Sequence, residues 1–208
     1  MFDFLTRKKE KDEQRARRWI FGTMLAFGII GLAASFVLAI EEFHLLKDPN
    51  ATLSCSFNLV LNCSTVMKTW QASVFGFPNM FIGLMGYPVV ITTAVVGLTT
   101  RKLPRLFWQI ANVCYALGAF FAYWLFFNSV YSIQVLCPWC LIVTFSTTIL
   151  LATITHYTLK ENHFGLPGRF NEKVQRILDK DIGKLITASW IVLLIALVFV
   201  KFGDSLFA

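Results

Sequence analysis

Charge is what this 208-residue chain has least of: 15% of its residues are Asp, Glu, Lys or Arg, whereas 56% are hydrophobic and 21 are phenylalanine. No charged residue occurs from Trp19 to Ile40 or from Pro78 to Thr100, and from Leu106 to His156 the only titratable base is that closing histidine. Such runs exclude a water-soluble domain. Internal repeats and low-complexity tracts are missing too, and no convincing small-residue cleavage site precedes Glu41. The first uncharged run also exceeds the roughly 7–15-residue core of a secretory signal, so it is expected to stay attached as a first span. With so few charges inside the apolar runs, no ion or proton pathway is evident.

What is present is a set of membrane crossings. A hydrocarbon core takes about 20 apolar residues to span. Trp19–Ile40 and Pro78–Thr100 supply one crossing each, and Leu106–His156, about twice that length, must hold two. The break between them is expected around Asn128–Pro138, where Asn128, Ser129, Ser132, Gln134 and Pro138 interrupt the apolar pattern. A fifth segment, Leu185–Val200, is short, but Ile182 and Phe202 extend it while Lys184 and Lys201 snorkel to the interfaces. The fold class expected is an all-α integral membrane bundle of five spans.

Lysine and arginine are unevenly placed. Seven lie in residues 1–18, Arg101, Lys102 and Arg105 form a second group, and six lie in residues 160–184. Only Lys47, Lys68 and Lys201 fall on the other side. Cytoplasmic loops retain basic residues, so the N-terminus is expected inside. The net charge of +7 then reflects topology and anionic lipid, and implies no nucleic-acid partner. In Asn171–Asp181, Val174, Ile177 and Leu178 share one face, as in an interfacial helix; a connecting loop with a helical turn or two fits equally.

Four of the five cysteines form two close pairs in sequence: Cys55 with Cys63 in the loop after the first span, and Cys137 with Cys140 in Cys137-Pro138-Trp139-Cys140. The inferred topology puts both pairs on the outer face, where thiols meet oxidising conditions and can cycle as disulfides. Pro138 suits the first position of a helix, which makes Cys137 a cap and sets Cys140 one turn in, near unpaired N–H groups that favour thiolate. The competing readings for Cys137 and Cys140 are a static bridge, which closes too short a loop to stabilise much, and half of a zinc site, for which no histidine stands nearby. For Cys55 and Cys63 the competing reading is a loop staple. After Cys63, Val66, Trp70 and Val74 recur at helical spacing and predict a short helix on the bilayer. Cys114, alone in the third span, is expected to be a small buried apolar residue.

The order Cys55-(seven residues)-Cys63-Ser64-Thr65-Val66-Met67, then Phe75-Gly76-Phe77-Pro78-Asn79-Met80-Phe81-Ile82-Gly83, then Cys137-Pro138-Trp139-Cys140, resembles the vitamin K epoxide reductase family in its bacterial form, over roughly residues 19–160. The resemblance implies a four-helix bundle around a quinone with an added fifth span, in a bacterial plasma membrane. The chain then divides into a basic tail at 1–18, the bundle at 19–160 with an outer loop at 41–77, a cytoplasmic loop at 161–184, and a fifth span with a short outer end at 185–208. It also implies a thiol oxidase supporting disulfide formation. Cys137 and Cys140 would be the active pair, with Cys140 touching the quinone; Cys63 would exchange with Cys137, and Cys55 would take electrons from a thioredoxin-fold dithiol partner. Asn79 and Thr69 match residues of the family's quinone site. Thr144 stands where vertebrate members carry a tyrosine implicated in quinone and anticoagulant binding, which weakens any expectation of vitamin K preference among the possible menaquinone, ubiquinone or vitamin K type acceptors. The chain stops at Ala208 after the fifth span, so the partner is expected to be a separate protein. Two other readings remain: the unrelated four-span periplasmic quinone-linked disulfide oxidase, and a non-enzymatic channel or assembly factor with structural bridges. The sequence sets no oligomeric state.

Overall fold

The long uncharged runs all become helices, because a chain in lipid must satisfy its own backbone N–H and C=O groups. The computed structural model describes residues 2–56, 58–100, 103–180 and 182–206. Arg101 and Lys102, counted above among the basic flanks, and Asp181, at the end of the interfacial segment, lie outside the described residues. In chain order the helices are α1 (Phe2–Lys47), α2 (Cys63–Met67), α3 (Met80–Thr99), α4 (Arg105–Phe127), α5 (Pro138–Lys160), α6 (Gly168–Asp179) and α7 (Ile182–Leu206). Helices α1, α3, α4, α5 and α7 are long and apolar enough to cross a membrane. The protein is therefore an all-α membrane bundle of five spans.

The break between α4 and α5 falls in the expected stretch, with added structure. Helix α4 continues as a wider π-helical turn over Asn128–Ile133 and stops at Gln134, whose φ of 57° is left-handed. Ser129 donates its hydroxyl to the Val135 carbonyl and closes this end. The chain then runs extended to Pro138, where the missing N–H costs nothing at a helix start.

Helix α1 packs against α3 and α5, α4 packs against α5, and α7 rests on the side of α5. Apolar burial gives little drive to helix association in lipid, so close backbone approach and interhelical hydrogen bonds do the work. Both are present. A Cβ at Gly31 would overlap the Tyr87 ring, and one at Gly97 would overlap Phe21, so α1 and α3 meet at distances that only glycine allows. Tyr87 Oη donates to the Val143 carbonyl at 3.2 Å and pairs with Thr147 Oγ1 at 3.0 Å, joining α3 to α5. Asn112 donates to Thr155 at 3.0 Å, and Trp190 of α7 donates to Tyr123 Oη, which pairs with Thr148 at 2.6 Å. At the end of the bundle with the basic loops, Phe21, Trp108 and Tyr157 close the core edge to face, with Trp108 and Tyr157 centroids 4.7 Å apart.

Two expectations are corrected. Cys114 is exposed on α4, on the lipid-facing stripe of Ile110, Val113, Leu117 and Phe120, and is no core residue. The helix anticipated through Val66, Trp70 and Val74 is two pieces, α2 and a 3-10 turn at Trp70–Ser73; Thr69 between them is extended, and its hydroxyl bonds back to the Val66 carbonyl. Beyond the uncharged run that ends at Ile40, α1 continues as helix through Glu41 to Lys47. The segment around Asn171 is a full helix, α6, beginning at Gly168 with Leu178 buried and Ile177 exposed.

Candidate active site

The loop between α1 and α3 returns to the bundle and buries its cysteines. Cys55, Cys63 and Cys137 are all 2% exposed or less and form one apolar cluster with Leu38 and Leu53. Cys55 and Cys63 are joined as a disulfide, while Cys137 and Cys140 are free thiols.

Two backbone hydrogen bonds set the meeting of the pairs. Leu136 N–H donates to the Val60 carbonyl at 2.7 Å, and Asn62 N–H donates to the Leu136 carbonyl at 3.0 Å, a single parallel bridge between residues 74–76 positions apart in the chain. Asn62 and Leu136 each immediately precede a cysteine. The Asn62 side chain caps α2 by accepting from Thr65 N–H, and it also takes hydroxyl bonds from Ser56 and Ser64 at 3.0 Å. Cys63 and Cys137 are thereby held with sulfurs 3.2 Å apart. That separation lies within the roughly 3–3.5 Å of a near-attack arrangement.

Cys137 caps α5 as expected, with its sulfur accepting from Cys140 N–H at 3.4 Å. Its pKa is lowered, chiefly by a hydrogen bond from the Cys140 thiol and further by the N–H groups of Cys140 and Trp139, which together outweigh burial. The thiolate-favouring helix start thus acts on Cys137, where residue pattern alone had assigned it to Cys140.

Beside the Cys137 and Cys140 thiols opens a cleft of about 130 Å³, walled by α1, α2, α3, α4, α5 and the 3-10 turn. Its walls are mainly apolar, with Leu38, Met80, Phe126 and Leu141 among them, and Cys137 and Cys140 line it together. Thr69, Asn79 and Thr144 all reach this cleft. Thr69 and Thr144 point their hydroxyls back to the carbonyls of Val66 and Cys140. Asn79 does not cap its helix: Nδ2 donates to the Gln71 carbonyl at 2.6 Å, and Oδ1 is buried without a partner. The orphaned Oδ1 can accept from a hydroxyl entering this apolar cleft, and the second Nδ2 hydrogen can donate to a carbonyl oxygen there, so the pair of groups fits a flat ring that exchanges carbonyl for hydroxyl. Among the described residues no group of three or more His, Cys, Asp or Glu is placed to hold a metal ion.

The sequence reading missed the Asn62 clamp, although Asn before Cys-Ser-Thr is a recognisable helix-cap pattern. It also missed buried Gln71, and Ser35 and Ser129 in the cleft wall, for which no local pattern signals a role.

Comparison with known families decides the class: a family model described as the vitamin K epoxide reductase family matches residues 23–155. The chain belongs to the vitamin K epoxide reductase family. No curated protein and no solved structure matches it. Membership makes it a multi-pass membrane thiol–disulfide oxidoreductase of quinone-linked type, and all four paired cysteines fall inside the matched region of this family.

Proposed function

We propose that this protein is a membrane thiol oxidase that takes electrons from an extracytoplasmic thioredoxin-fold dithiol and passes them through its two cysteine pairs to the membrane quinone pool, supporting disulfide formation. The observation that carries the proposal is the 3.2 Å separation of the Cys63 and Cys137 sulfurs, a contact that two static bridges have no need to make.

A thiolate of the partner attacks Cys55, forming an intermolecular disulfide and releasing Cys63 as thiolate. The partner's second thiolate resolves that bond, leaving the partner oxidised and Cys55 reduced. Cys63 then attacks the oxidised inner pair at Cys137, forming a Cys63–Cys137 disulfide and releasing Cys140. Attack of Cys55 on Cys63 restores the loop disulfide and leaves Cys137 and Cys140 both reduced. The described state, with the loop pair bridged and the inner pair free, corresponds to the end of this sequence. The lowered pKa of Cys137 makes it a good leaving group in the last exchange.

Thr69, Asn79 and Thr144 would hold a quinone in the cleft beside Cys140. Such a quinone supplies the acceptor for the two electrons and two protons given up as Cys137 and Cys140 close to a disulfide. Asn79 commits one N–H to Gln71 and keeps a second N–H and Oδ1. It can therefore donate to a carbonyl oxygen and accept from a hydroxyl.

Quinone reduction with each cysteine replaced by serine tests the relay. Loss of turnover is expected for Cys55, Cys63, Cys137 and Cys140, with none for Cys114→Ser; full turnover without Cys137 or Cys140 overturns it.

A further inference from the structure

The relay requires a partner thiol to reach Cys55, yet Cys55 is 1% exposed. Something must uncover it. Cys63 is fixed in α2 under the Asn62 cap with its sulfur turned to Cys137, so an opening there would also break the contact that transfers electrons. The other flank differs. Cys55 lies in irregular chain, and its neighbour Ser54, itself exposed, is held by Glu41 near the end of α1. The carboxylate accepts from Ser54 N–H at 3.3 and 3.4 Å and from the Ser54 hydroxyl.

Glu41 is unusual. It is 6% exposed, and among the described residues every hydrogen bond it accepts comes from Ser54. A buried carboxylate is costly unless it is well paired, and here its pairing depends on one loop residue beside a reactive sulfur. Packing alone would be served better by an apolar side chain.

We propose that Glu41 is a positioning residue that latches the Cys55 side of the loop, and that release of Ser54 from its carboxylate uncovers the Cys55 sulfur for the incoming thiolate. The latched form keeps Cys63 against Cys137 for internal exchange, and the released form admits the partner. The uncovered attack forms the bond between the partner's sulfur and Cys55, breaks the Cys55–Cys63 bond, and leaves the electron pair on Cys63. The inference rests on the proposed relay, because that is what requires Cys55 to be reached.

The test uses the full chain in lipid nanodiscs with dithiothreitol as probe and follows reduction of the Cys55–Cys63 disulfide by mass-tagged alkylation, with no quinone or partner added. Glu41→Ala and Ser54→Ala are expected to speed reduction about tenfold, the order that follows from losing hydrogen bonds to a charged group. Glu41→Gln, which keeps an acceptor, falls between them and wild type. Lys68→Ala removes a different contact of the same loop, Lys68 Nζ to the Pro49 carbonyl at 2.7 Å, and should reduce at the wild-type rate. Unchanged rates in both Glu41→Ala and Ser54→Ala overturn the latch, as does equal acceleration in Lys68→Ala, which marks general loosening. Failure of the relay itself reads out separately, as absent quinone reduction in protein with all cysteines intact.

Discussion

At the scale of single residues, the consequential fact is that the cap of α5 is a sulfur. A thiol with lowered pKa is ionised at lower pH than an ordinary cysteine, whose value is about 8.5, and its reactivity is lost only as pH falls through that lower value. Alkylation of Cys137 in the reduced protein, read by mass spectrometry, should therefore show a midpoint below the ordinary one. Cys140→Ala removes the largest cause, the Cys140 thiol hydrogen bond, and should move the midpoint up. The 3.2 Å contact makes a second expectation. In Cys55→Ala/Cys140→Ala, both resolving thiols are gone, and mild oxidation should give a Cys63–Cys137 disulfide in high yield, seen as a linked peptide pair. A failure to form it removes the basis of the relay. The paired cysteines were legible because their chemistry is written in residue type and local spacing, and Asn79 was named only through the family resemblance; the contacts of Glu41 and Gln71 were not legible, because they come from neighbours that the fold brings to them.

The helices show where spacing suffices and where it does not. A stretch of uncharged residues must become a helix in lipid whatever its neighbours, so α3, α4 and α5 were foreseeable to within a few residues. The turn after α4 was visible in Asn128, Ser129 and Gln134. Which face of a span meets protein is another matter: a helix apolar all round carries no periodic signal, and Cys114 was assigned to the wrong face for that reason. The loop helix failed differently, since the Val66, Trp70 and Val74 spacing cannot report the extended backbone at Thr69. Two substitutions test the elements that matter most. Asn62→Ala loses the α2 cap, a cost of about 1 kcal/mol, and should lower the yield of the Cys63–Cys137 crosslink much more than it lowers the melting temperature. Gly97→Leu drives a side chain into Phe21 where α1 and α3 meet; overpacking of about 1–3 kcal/mol should lower the thermal midpoint in detergent while leaving the Cys63–Cys137 crosslink intact in folded protein.

For the whole molecule, connectivity puts both cysteine pairs at one end of the bundle, and residues 103–105 and the connection at 161–180 that contains α6 at the other. The distribution of lysine and arginine supports the proposal that the cysteine end is the outer one. Asn50→Cys and Glu161→Cys, each exposed in the wild type, should separate cleanly: a membrane-impermeant maleimide labels the first in intact cells and the second only after permeabilisation. The reverse pattern would put the dithiols in a reducing compartment and defeat the proposed oxidase. The two cysteine pairs come from segments more than 70 residues apart, joined through main-chain N–H and C=O groups of Val60, Asn62 and Leu136. Amide-to-carbonyl contacts of this kind survive almost any exchange of side chain. Systematic truncation to alanine along Val60, Leu61 and Leu136 would thus report on their packing and pass over the join altogether, which only a change in the peptide unit itself, such as an ester replacing one amide, can reveal.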